Sequence, residues 1–351
     1  MKIIHIESGL GNQMLSYCEY LAIKKANPND ECYIETIIFD IPECNEVICQ
    51  WNGYELDRIF NISAPNIKEK FTSSQWNSII QSIRESKFWN NDWNYPPAFT
   101  EAFNANGCDL VNIRGDLKST KEKNYLKRGI VAKFRSWFNN HTWLGVTIKR
   151  IITQRHIDYS PNPSIINKLF IKSTANVFAG QQLLFNHVGA GVELLKSEIS
   201  IAFQFPPFND NKNKDYAHYL ETINAVFIHA RRGDMLSRNG WCYKYGYFKR
   251  AVKYIKRHVE NPVFVFFTDP GSIQWCMENE KIFGLSFAKD KIEFVDWNKG
   301  NDSFRDMQLM SYCKHGITTY SSFGWWGAYF IKNPKKITVS PLAYLNTTHH
   351  C

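Results

Sequence analysis

The sequence predicts an α/β protein of two domains, with a parallel, Rossmann-like sheet in the second domain. The length of 351 residues allows two domains that each bury a core of their own. The chain begins with a strand pattern, a glycine turn and a helix pattern. Between residues 225 and 339, short runs of β-branched and aromatic residues alternate with stretches of helical spacing, which is the order typical of parallel sheets.

The first of these elements is a strand over residues 3–6 that leads into Gly9-Leu10-Gly11-Asn12-Gln13. The helix pattern that follows has apolar residues at Met14, Leu15, Cys18, Leu21 and Ala22. Glycines in such a turn let backbone amides approach a ligand at the helix N-terminus, although most such turns only connect a strand to a helix. A second strand is predicted over residues 35–39.

Residues 63–175 show the weakest pattern, and we expect an insertion within them. One strand is predicted at 109–113, and residues 176–182 have the pattern of a strand that runs into a turn. Residues 205–214 are polar and contain two prolines, which is typical of a linker. We therefore place an N-terminal domain at 1–210 and a C-terminal domain at 211–351.

A basic stretch lies within the insertion. Residues 118–155 contain ten lysines and arginines against one acidic residue, Glu122. Within it, Leu126, Ile130, Phe134 and Trp137 follow helical spacing. The favoured interpretation is a surface helix whose apolar stripe packs on the core. The alternative is a helix that docks on an anionic membrane.

The second domain shows a regular alternation of elements. Strands are predicted at 225–228, 262–267, 292–295, 317–320 and 336–339, and helices around 248–259, over 303–314 and from 323. The helix at 248–259 has apolar residues at Phe248, Val252, Ile255 and Val259 with basic residues between them.

Composition excludes several classes of protein. With 44% hydrophobic and 21% charged residues the chain is globular, and no apolar run approaches the length of a membrane span. The start lacks the layout of a signal peptide. Nine cysteines without metal-ligand spacing indicate reduced thiols and a cytoplasmic setting. The net charge of +9 favours anionic partners without choosing among nucleotides, nucleic acid and membranes.

The most informative stretch is 223–235, in which the buried strand ends on His229-Ala230-Arg231-Arg232-Gly233-Asp234. Two arginines at the carboxyl end of such a strand require an anionic partner, and this end is where ligands sit in open α/β sheets. The planar fork of arginine suits phosphate. From these residues alone, a phosphate site and a salt-bridged pair that closes a surface turn are both open interpretations.

A second candidate position is Ser321-Ser322, where a predicted strand meets the next helix. Hydroxyls and free amides at a helix N-terminus bind phosphate, but serine is also a good cap. Taken with Arg231 and Arg232 at a neighbouring strand end, the pair favours a diphosphate site.

These motifs also occur in a known order. Gly-x-Gly-Asn-Gln at Gly9, His-x-Arg-Arg-x-Asp at His229, Asp-x-x-Leu-Met-Ser at Asp306 and Ser-Ser-Phe-x-Trp-Trp-Gly-Ala at Ser321 resemble the α-1,2-fucosyltransferases. This family is related to the α-1,6- and protein O-fucosyltransferases. The resemblance covers 1–25, loosely 54–62, and nearly all of 223–342. Tyr320, where asparagine is usual, and Gly324, where serine is usual, depart from the pattern.

The resemblance implies a GT-B-like fold, with two Rossmann-like domains facing across a cleft and GDP-fucose on the C-terminal one. It places Arg231 on the β-phosphate, and His229 and Asp306 near guanine. It assigns the pyrophosphate and the sugar to three residues of one segment, Ser321, Ser322 and Phe323. Asn12 would face the reacting centre, with Gly11 beside it in the donor site, and Arg232 would brace Arg231 or touch the donor.

The chemistry follows from these parts. The departing GDP carries negative charge on its β-phosphate, which Arg231 stabilises in the transition state. The chain contains no Asp-x-Asp motif, so we expect neither a metal nor any other cofactor. The transfer should invert the anomeric centre. Asp234, Asp116 and Asp269 are the candidates for a general base, and an oxocarbenium-like transition state would lessen the need for one.

The sequence thus predicts metal-independent α-1,2 transfer of L-fucose from GDP-fucose to a terminal galactose of a surface glycan. We expect a cytoplasmic protein, with peripheral contact at the inner face of the membrane through 118–155 and no nucleic-acid partner. The alternatives are a fucosyltransferase of another linkage or acceptor, an inactive sugar-nucleotide-binding relative, and a basic nucleic-acid-binding protein. We expect the acceptor to be selected by residues 63–175 and a loop at 236–245.

Overall fold

The structure, a computed structural model, describes residues 1–91, 93–110, 130–145, 147–148, 151, 177–178, 195–341 and 347–351. The chain divides into two compact units. The first comprises Met1–Lys127 and Ser160–Gln204, and the second comprises Arg128–Tyr159 and Phe205–Cys351. Each unit contains a parallel sheet with helices, so the α/β class and the parallel sheet of the second domain are confirmed.

In the described part of the first unit, a parallel sheet has the strand order β2-β1-β3. Its strands are β1 (Lys2–His5), β2 (Cys32–Glu35) and β3 (Val177–Phe178). The helices are α1 (Leu10–Ala26), α2 (Leu56–Phe60), α3 (Ser73–Ser86), α4 (Tyr95–Ala105) and, further along the chain, Lys196–Ala202. Short 3₁₀ turns cover Ile37–Asp40, Pro42–Glu46, Ile67–Lys70 and Phe88–Asn90. Strand β1 is buried along its whole length, as expected for the centre of a parallel sheet.

The second strand lies earlier than predicted. The apolar run at 35–39 predicts a strand, but β2 ends at Glu35 and a 3₁₀ turn begins at Ile37. The carboxylate of Glu35 accepts a hydrogen bond from the backbone N–H of Ile37, at 2.9 Å, and this local bond turns the chain. The side chains of Ile37 and Ile38 are nevertheless buried, so the apolar run fills the core from a turn.

In the described part of the second unit, a six-stranded parallel sheet has the order β6-β5-β4-β7-β8-β9. Its strands are β4 (Ala225–Ala230), β5 (Val263–Thr268), β6 (Lys291–Val295), β7 (His315–Thr318), β8 (Thr338–Ser340) and β9 (His349–His350). Numbered from β4, this is the order 3-2-1-4-5-6 of a Rossmann sheet, which changes direction between β4 and β7. The prediction that residues 336–339 close the sheet is wrong, because β9 pairs beyond β8.

The helices of this unit alternate with the strands. They are α5 (Ile130–His141), α7 (Asn211–Thr222), α8 (Leu236–Lys244), α9 (Tyr247–His258), α10 (Ile273–Glu278), α11 (Glu280–Phe283), α12 (Phe304–Tyr312) and α13 (Ser322–Phe330). The label α6 is given to the first-unit helix Lys196–Ala202. Helix α9 confirms its predicted pattern: Phe248, Val252 and Ile255 are buried against the sheet, while Lys249 and Lys253 are exposed. The apolar period of 3.6 residues is the cause of this orientation.

Two loop predictions are wrong. Residues 205–214 are only partly a linker, because α7 begins at Asn211, where the carboxylate of Asp210 caps the helix by accepting from the N–H of Asn213 at 2.8 Å. The loop predicted at 236–245 is instead helix α8, which covers Leu236–Lys244. Helix α8 forms because Cys242 and Tyr243 bury themselves in the core beside β4.

Several predictions fall on residues outside the described ranges. They are most of the strand at 109–113, the turn after β3, Asp116, and much of the segment at 118–155. The domain boundary at 210 and the insertion within 63–175 also stay predictions. No helix within the described ranges combines the length and the apolar character that a membrane span requires.

Candidate functional site

The candidate site lies where the sheet of the second unit changes direction, at the carboxyl ends of β4 and β7. His229 and Arg231 belong to the end of β4, and Ser321 and Ser322 follow β7. Residue Thr319 joins the two strand ends, since its hydroxyl donates to the carbonyl of His229 at 3.3 Å. Crevices at such switch points are where open α/β sheets bind ligands.

Arg231 is held between two carboxylates. One terminal nitrogen of its guanidinium contacts Asp234 at 2.7 Å, and the other pairs with Asp269, at the end of β5. The Arg231 side chain is 17% exposed and that of Asp269 only 5%, whereas Asp234 is 39% exposed. The arginine is therefore fixed from the buried side by Asp269 and from the solvent side by Asp234.

Arg232 has a different environment. Its guanidinium lies over the ring of Trp275, with the central carbon 3.2 Å from the ring centroid, and also near Tyr243 at 5.4 Å. Its backbone N–H donates to the carboxylate of Asp269. Stacking of this kind stabilises a cation without using its N–H donors. The contacts favour a bracing role for Arg232, while contact with the donor stays a prediction.

Sequence analysis did not single out the residues that hold the backbone of Arg231. The hydroxyl of Tyr243 donates to the carbonyl of Arg231 at 3.0 Å. The side chain of Asn239, which is fully buried, contacts the same carbonyl at 3.4 Å and accepts from the N–H of Tyr320 at 3.0 Å. Helix α8 thus connects the two strand ends of the site. The sequence offered little signal, because Asn239 stands between Arg238 and Gly240 in a stretch that was predicted to be a loop.

His229 lies beneath helix α13 and is 4% exposed. Burial, and secondarily the positive charge of Arg231, lower the pKa of His229 to about 3, so the imidazole is neutral. Among the described residues its Nδ1 has no hydrogen-bond partner. Its ring centroid is 5.7 Å from that of Phe323, which is half-buried. From this position His229 supports Phe323, and its contact with guanine stays a prediction.

Gly324, one of the two departures from the family pattern, is required by the position of His229. A Cβ atom at Gly324 would lie 2.3 Å from Nδ1 of His229 and 2.5 Å from the hydroxyl of Thr318. Real side chains do not approach this closely, so any larger residue must displace the imidazole.

We therefore expect Gly324→Ala to lower the free energy of unfolding by about 1–3 kcal/mol, measured by urea denaturation. Gly240→Ala is the matched control, because no atom lies within 4 Å of its added Cβ in helix α8. The control should be neutral or stabilising by about 0.5–1 kcal/mol. Equal stability of the two variants would show that a Cβ atom at position 324 does not clash with the His229 imidazole.

Ser321 occupies the N-cap position of α13, but its side chain makes no capping hydrogen bond. Capping, the simpler interpretation of this serine, is therefore wrong for its hydroxyl. Ser322 is the first residue of the helix and is half-buried. The positive end of the α13 dipole and the backbone amides of its first turn lie at the switch point with these hydroxyls.

Asp306 lies in the first turn of α12, which runs into β7, so its end of the helix is at the carboxyl edge of the sheet. Its carboxylate accepts from the amide of Asn298 at 2.8 Å. Burial raises the pKa of Asp306 to about 7; the Asn298 hydrogen bond opposes this effect and the charge of Asp296 adds to it. A carboxylate with such a pKa at a sheet edge is a candidate binding residue.

In the first unit, Asn12 lies in the first turn of α1 and is half-buried, while Gly11 is buried. The amide of Asn12 donates to the hydroxyl of Ser8 at 3.1 Å. Gln13 is fully buried and binds three backbone groups, the carbonyls of Ser8 and Gly53 and the N–H of Glu55. The Gly-Asn-Gln motif thus divides into a structural glutamine and an asparagine at the surface of the turn.

A buried ionic cluster precedes this turn, and sequence analysis did not identify it. The His5 ring pairs with Glu35 through Nδ1 and with Glu7 through Nε2, the latter at 2.9 Å, and the indole of Trp93 donates to Glu7 at 2.7 Å. Burial lowers the pKa of His5, but the two carboxylates together outweigh it and raise the pKa to about 9. The cluster fixes the carboxyl end of β1, from which the Asn12 turn departs. The only sequence signal was His5 and Glu7 on one face of an apolar strand.

The Trp-Trp-Gly-Ala segment is part of the packing of the unit. Trp325 and Trp326 are buried, and a Cβ at Gly327 would meet the sulfur of Met310 at 2.6 Å, so α12 and α13 pack closely there. Among the described residues, no three His, Cys, Asp or Glu side chains form a group that could hold a metal ion.

Comparison with known proteins finds similarity within the second unit. Residues 217–350 match Glycosyl transferase family 11. An α-1,2-colitosyltransferase of Escherichia coli is 34% identical over 145 residues, which are 39% of this chain and 47% of that protein. The O-antigen biosynthesis glycosyltransferase WbnK of Escherichia coli is 32% identical, over 34% of this chain and 39% of its own length.

A galactoside α-(1,2)-fucosyltransferase 1 of Plecturocebus brunneus is 29% identical over 109 residues, 30% of this chain and 28% of that protein. The chain therefore spans less than half the length of these relatives. The matched stretch begins within α7 and contains β4, β7 and the whole of the candidate site in the second unit.

Proposed function

Because residues 217–350 match Glycosyl transferase family 11, we propose that the protein transfers L-fucose, or a related 6-deoxy sugar, from its GDP derivative to a galactose hydroxyl of a surface glycan. The colitosyl and fucosyl names of the relatives support this choice of sugar, and both names carry an α-1,2 linkage. WbnK, which is named for O-antigen biosynthesis, supports a surface glycan as acceptor.

The observation that carries the proposal is Arg231, held by two carboxylates at the switch point beside the N-terminus of α13. When the bond between sugar and diphosphate breaks, negative charge grows on the β-phosphate. A fixed guanidinium and helix amides stabilise that charge more in the transition state than in the ground state. Arginine and helix dipole together perform the task for which many sugar-nucleotide enzymes use a divalent cation, so we propose a reaction without metal.

We propose that a phosphate reaches Arg231 from the solvent side, by exchange with Asp234. Asp234 is the more exposed partner, and it can give way to a phosphate oxygen while Asp269 keeps the guanidinium in place. In this proposal Asp234 is the counter-ion of Arg231 until the donor binds, and it then becomes available near the reacting centre.

This exchange distinguishes the candidate bases. Asp269 is buried and bound to Arg231 and to the N–H of Arg232, so it is a brace and a poor proton acceptor. Asp116 lies outside the described residues. Asp234 is left as the base that we propose, for a transition state with oxocarbenium character in which the acceptor proton is removed late. The transfer inverts the anomeric centre, since a single displacement reverses the configuration.

The activity is tested by incubating the protein with GDP-fucose and a β-galactoside in EDTA and identifying the product by nuclear magnetic resonance. We expect acceptor-dependent release of GDP and an α-linked fucose on the galactose 2-hydroxyl. GDP-colitose, whose sugar lacks the 3-hydroxyl of fucose, tests the choice of sugar. A requirement for Mg²⁺ or Mn²⁺ would contradict the role of Arg231. A β-linked product would show that the configuration of the β-linked donor is retained, which would contradict inversion by single displacement.

Guanine binding should depend on pH through Asp306. Only the ionised carboxylate accepts both N–H groups of the guanine edge, and with a pKa of about 7 the ionised fraction falls steeply below neutrality. We expect the affinity for GDP, measured by calorimetry, to weaken about tenfold from pH 8 to pH 6. Titration of the phosphate of GDP also contributes to the change of affinity with pH. Asp306→Asn measures this contribution, and we expect it to bind GDP weakly and with a smaller dependence on pH.

The same substitution should stabilise the unliganded protein. The pKa of Asp306 is raised in the folded state, so folding becomes less favourable as pH rises from about 4 through 7 and the carboxylate ionises. Asp306→Asn should therefore raise the free energy of unfolding at pH 8 by about 1–3 kcal/mol, and by less at pH 5. If Asp306→Asn bound GDP more weakly but gained no stability, the conclusion that burial of the ionised Asp306 carboxylate destabilises the fold would be wrong.

A further inference from the structure

A stripe of exposed apolar residues lies on the second unit, far along the chain from the candidate site. Among the described residues, fourteen large hydrophobic side chains are prominently exposed, and eight of them fall between residues 130 and 151. They are Ile130, Val131, Phe134, Trp137, Trp143, Leu144, Ile148 and Ile151, with exposures from 42% to 87%. The interpretation that this helix packs its stripe on the core is therefore wrong for these residues.

Helix α5 shows how the stripe is arranged. A helical repeat of 3.6 residues per turn places Ile130, Phe134 and Trp137 within an arc of about 60°. The rings of Phe134 and Trp137 are 6.0 Å apart, and they are 63% and 51% exposed. By the same repeat, position 133, a lysine, lies about 40° outside this arc on one side, and position 135, an arginine, lies about 100° outside it on the other. An apolar face bordered by basic residues is typical of helices that lie in a membrane interface.

Charge complementarity identifies the partner. The sequence of residues 118–155 contains ten basic residues and one acidic residue, so this segment of the chain carries a strong positive charge. Membranes that contain anionic lipids attract such segments, and tryptophan and phenylalanine favour the boundary between headgroups and acyl chains. We propose that α5 and the apolar residues up to Ile151 bind the surface of an anionic lipid bilayer.

Two other partners fit less well. Single-stranded nucleic acid stacks on aromatic rings but has no use for the aliphatic residues Ile130, Val131, Leu144, Ile148 and Ile151, which insert readily among acyl chains. A second copy of the chain, packed through the same face, would bring two basic segments together with almost no acidic residues to compensate.

The test is flotation of the full-length protein with vesicles of phosphatidylcholine alone or with phosphatidylglycerol, without any substrate. We expect binding to the anionic vesicles only, and release at high salt. Phe134→Ser/Trp137→Ser and Lys133→Glu/Arg135→Glu should each reduce the bound fraction at least about tenfold. Phe134, Arg135 and Trp137 are exposed, so we expect the variants to fold, and circular dichroism checks their helix content.

Matched controls come from other surfaces of the chain. Ile201→Ser removes an apolar side chain that is 74% exposed, and Lys253→Glu/Arg257→Glu reverses two exposed charges on α9; neither should change flotation. Three results would overturn the proposal: no flotation with anionic vesicles, equal loss in the controls, or a dimer or nucleic-acid complex that depends on Trp137 while vesicles stay unbound. None of these results bears on the transferase activity.

Discussion

Replacing Arg231 by alanine should lower the turnover of the proposed sugar transfer by about 10²–10³ while the fold is kept. The guanidinium contacts two carboxylates at the switch point, and it is the cation that the geometry offers to the departing β-phosphate. A group that acts mainly on charge developed in the transition state affects kcat more than KM. Release of GDP from GDP-fucose in the presence of a β-galactoside measures both constants.

Two further variants separate charge from geometry. Arg231→Lys keeps the charge but loses the planar fork, and it should recover only a small part of the activity. Arg257→Ala removes an exposed arginine of α9 and should leave turnover unchanged. If Arg231→Ala retained a near-normal kcat, or changed only KM, the proposal that Arg231 stabilises the departing phosphate would be wrong.

Replacing Asp269 by alanine should have the largest effect on stability, a loss of about 2–4 kcal/mol in the free energy of unfolding. The carboxylate is buried, and it holds both the guanidinium of Arg231 and the backbone N–H of Arg232. Its removal leaves a mostly buried cation and a buried donor without their partner, which costs much more than losing an exposed pair. Urea denaturation monitored by tryptophan fluorescence measures the change.

Asp234 provides the matched control, because it pairs with the same guanidinium from the solvent side. Asp234→Ala should change the free energy of unfolding by less than about 1 kcal/mol, as exposed ion pairs do. Similar losses in the two variants would contradict the assignment of Asp269 as the buried brace. Asp269→Asn adds a second comparison, since its amide oxygen can still accept the N–H of Arg232.

The elements that sequence predicted well are those whose pattern is local. Strands β4 and β5 are short apolar runs, and helix α9 repeats its apolar residues with a helical period, so neighbours along the chain were enough. The end of β2 was not predictable in this way. It depends on the carboxylate of Glu35, which binds both the N–H of Ile37 and the ring of His5, 30 residues away.

The candidate site divides in the same manner. Residue types alone placed Arg231, Ser321 and Ser322 at strand ends that the sheet order brings to one switch point. The role of Asp269 could not be predicted, because its partner Arg231 lies on another strand, and only the pairing of β4 with β5 places the two together. The support from Asn239 and Tyr243 was hidden for the same reason, since helix α8 contacts the strand ends through tertiary packing.

Calorimetric titration of the protein with GDP, GDP-mannose and UDP in EDTA tests the central claim, a guanine diphosphate site at the switch point, most directly. We predict that GDP and GDP-mannose bind without metal and that UDP binds at least about tenfold more weakly. Arg231→Ala should weaken the binding of GDP, because GDP carries on its β-phosphate the charge that develops in the transition state. Absence of GDP binding by the folded protein, or equal binding of GDP and UDP, would contradict the claim.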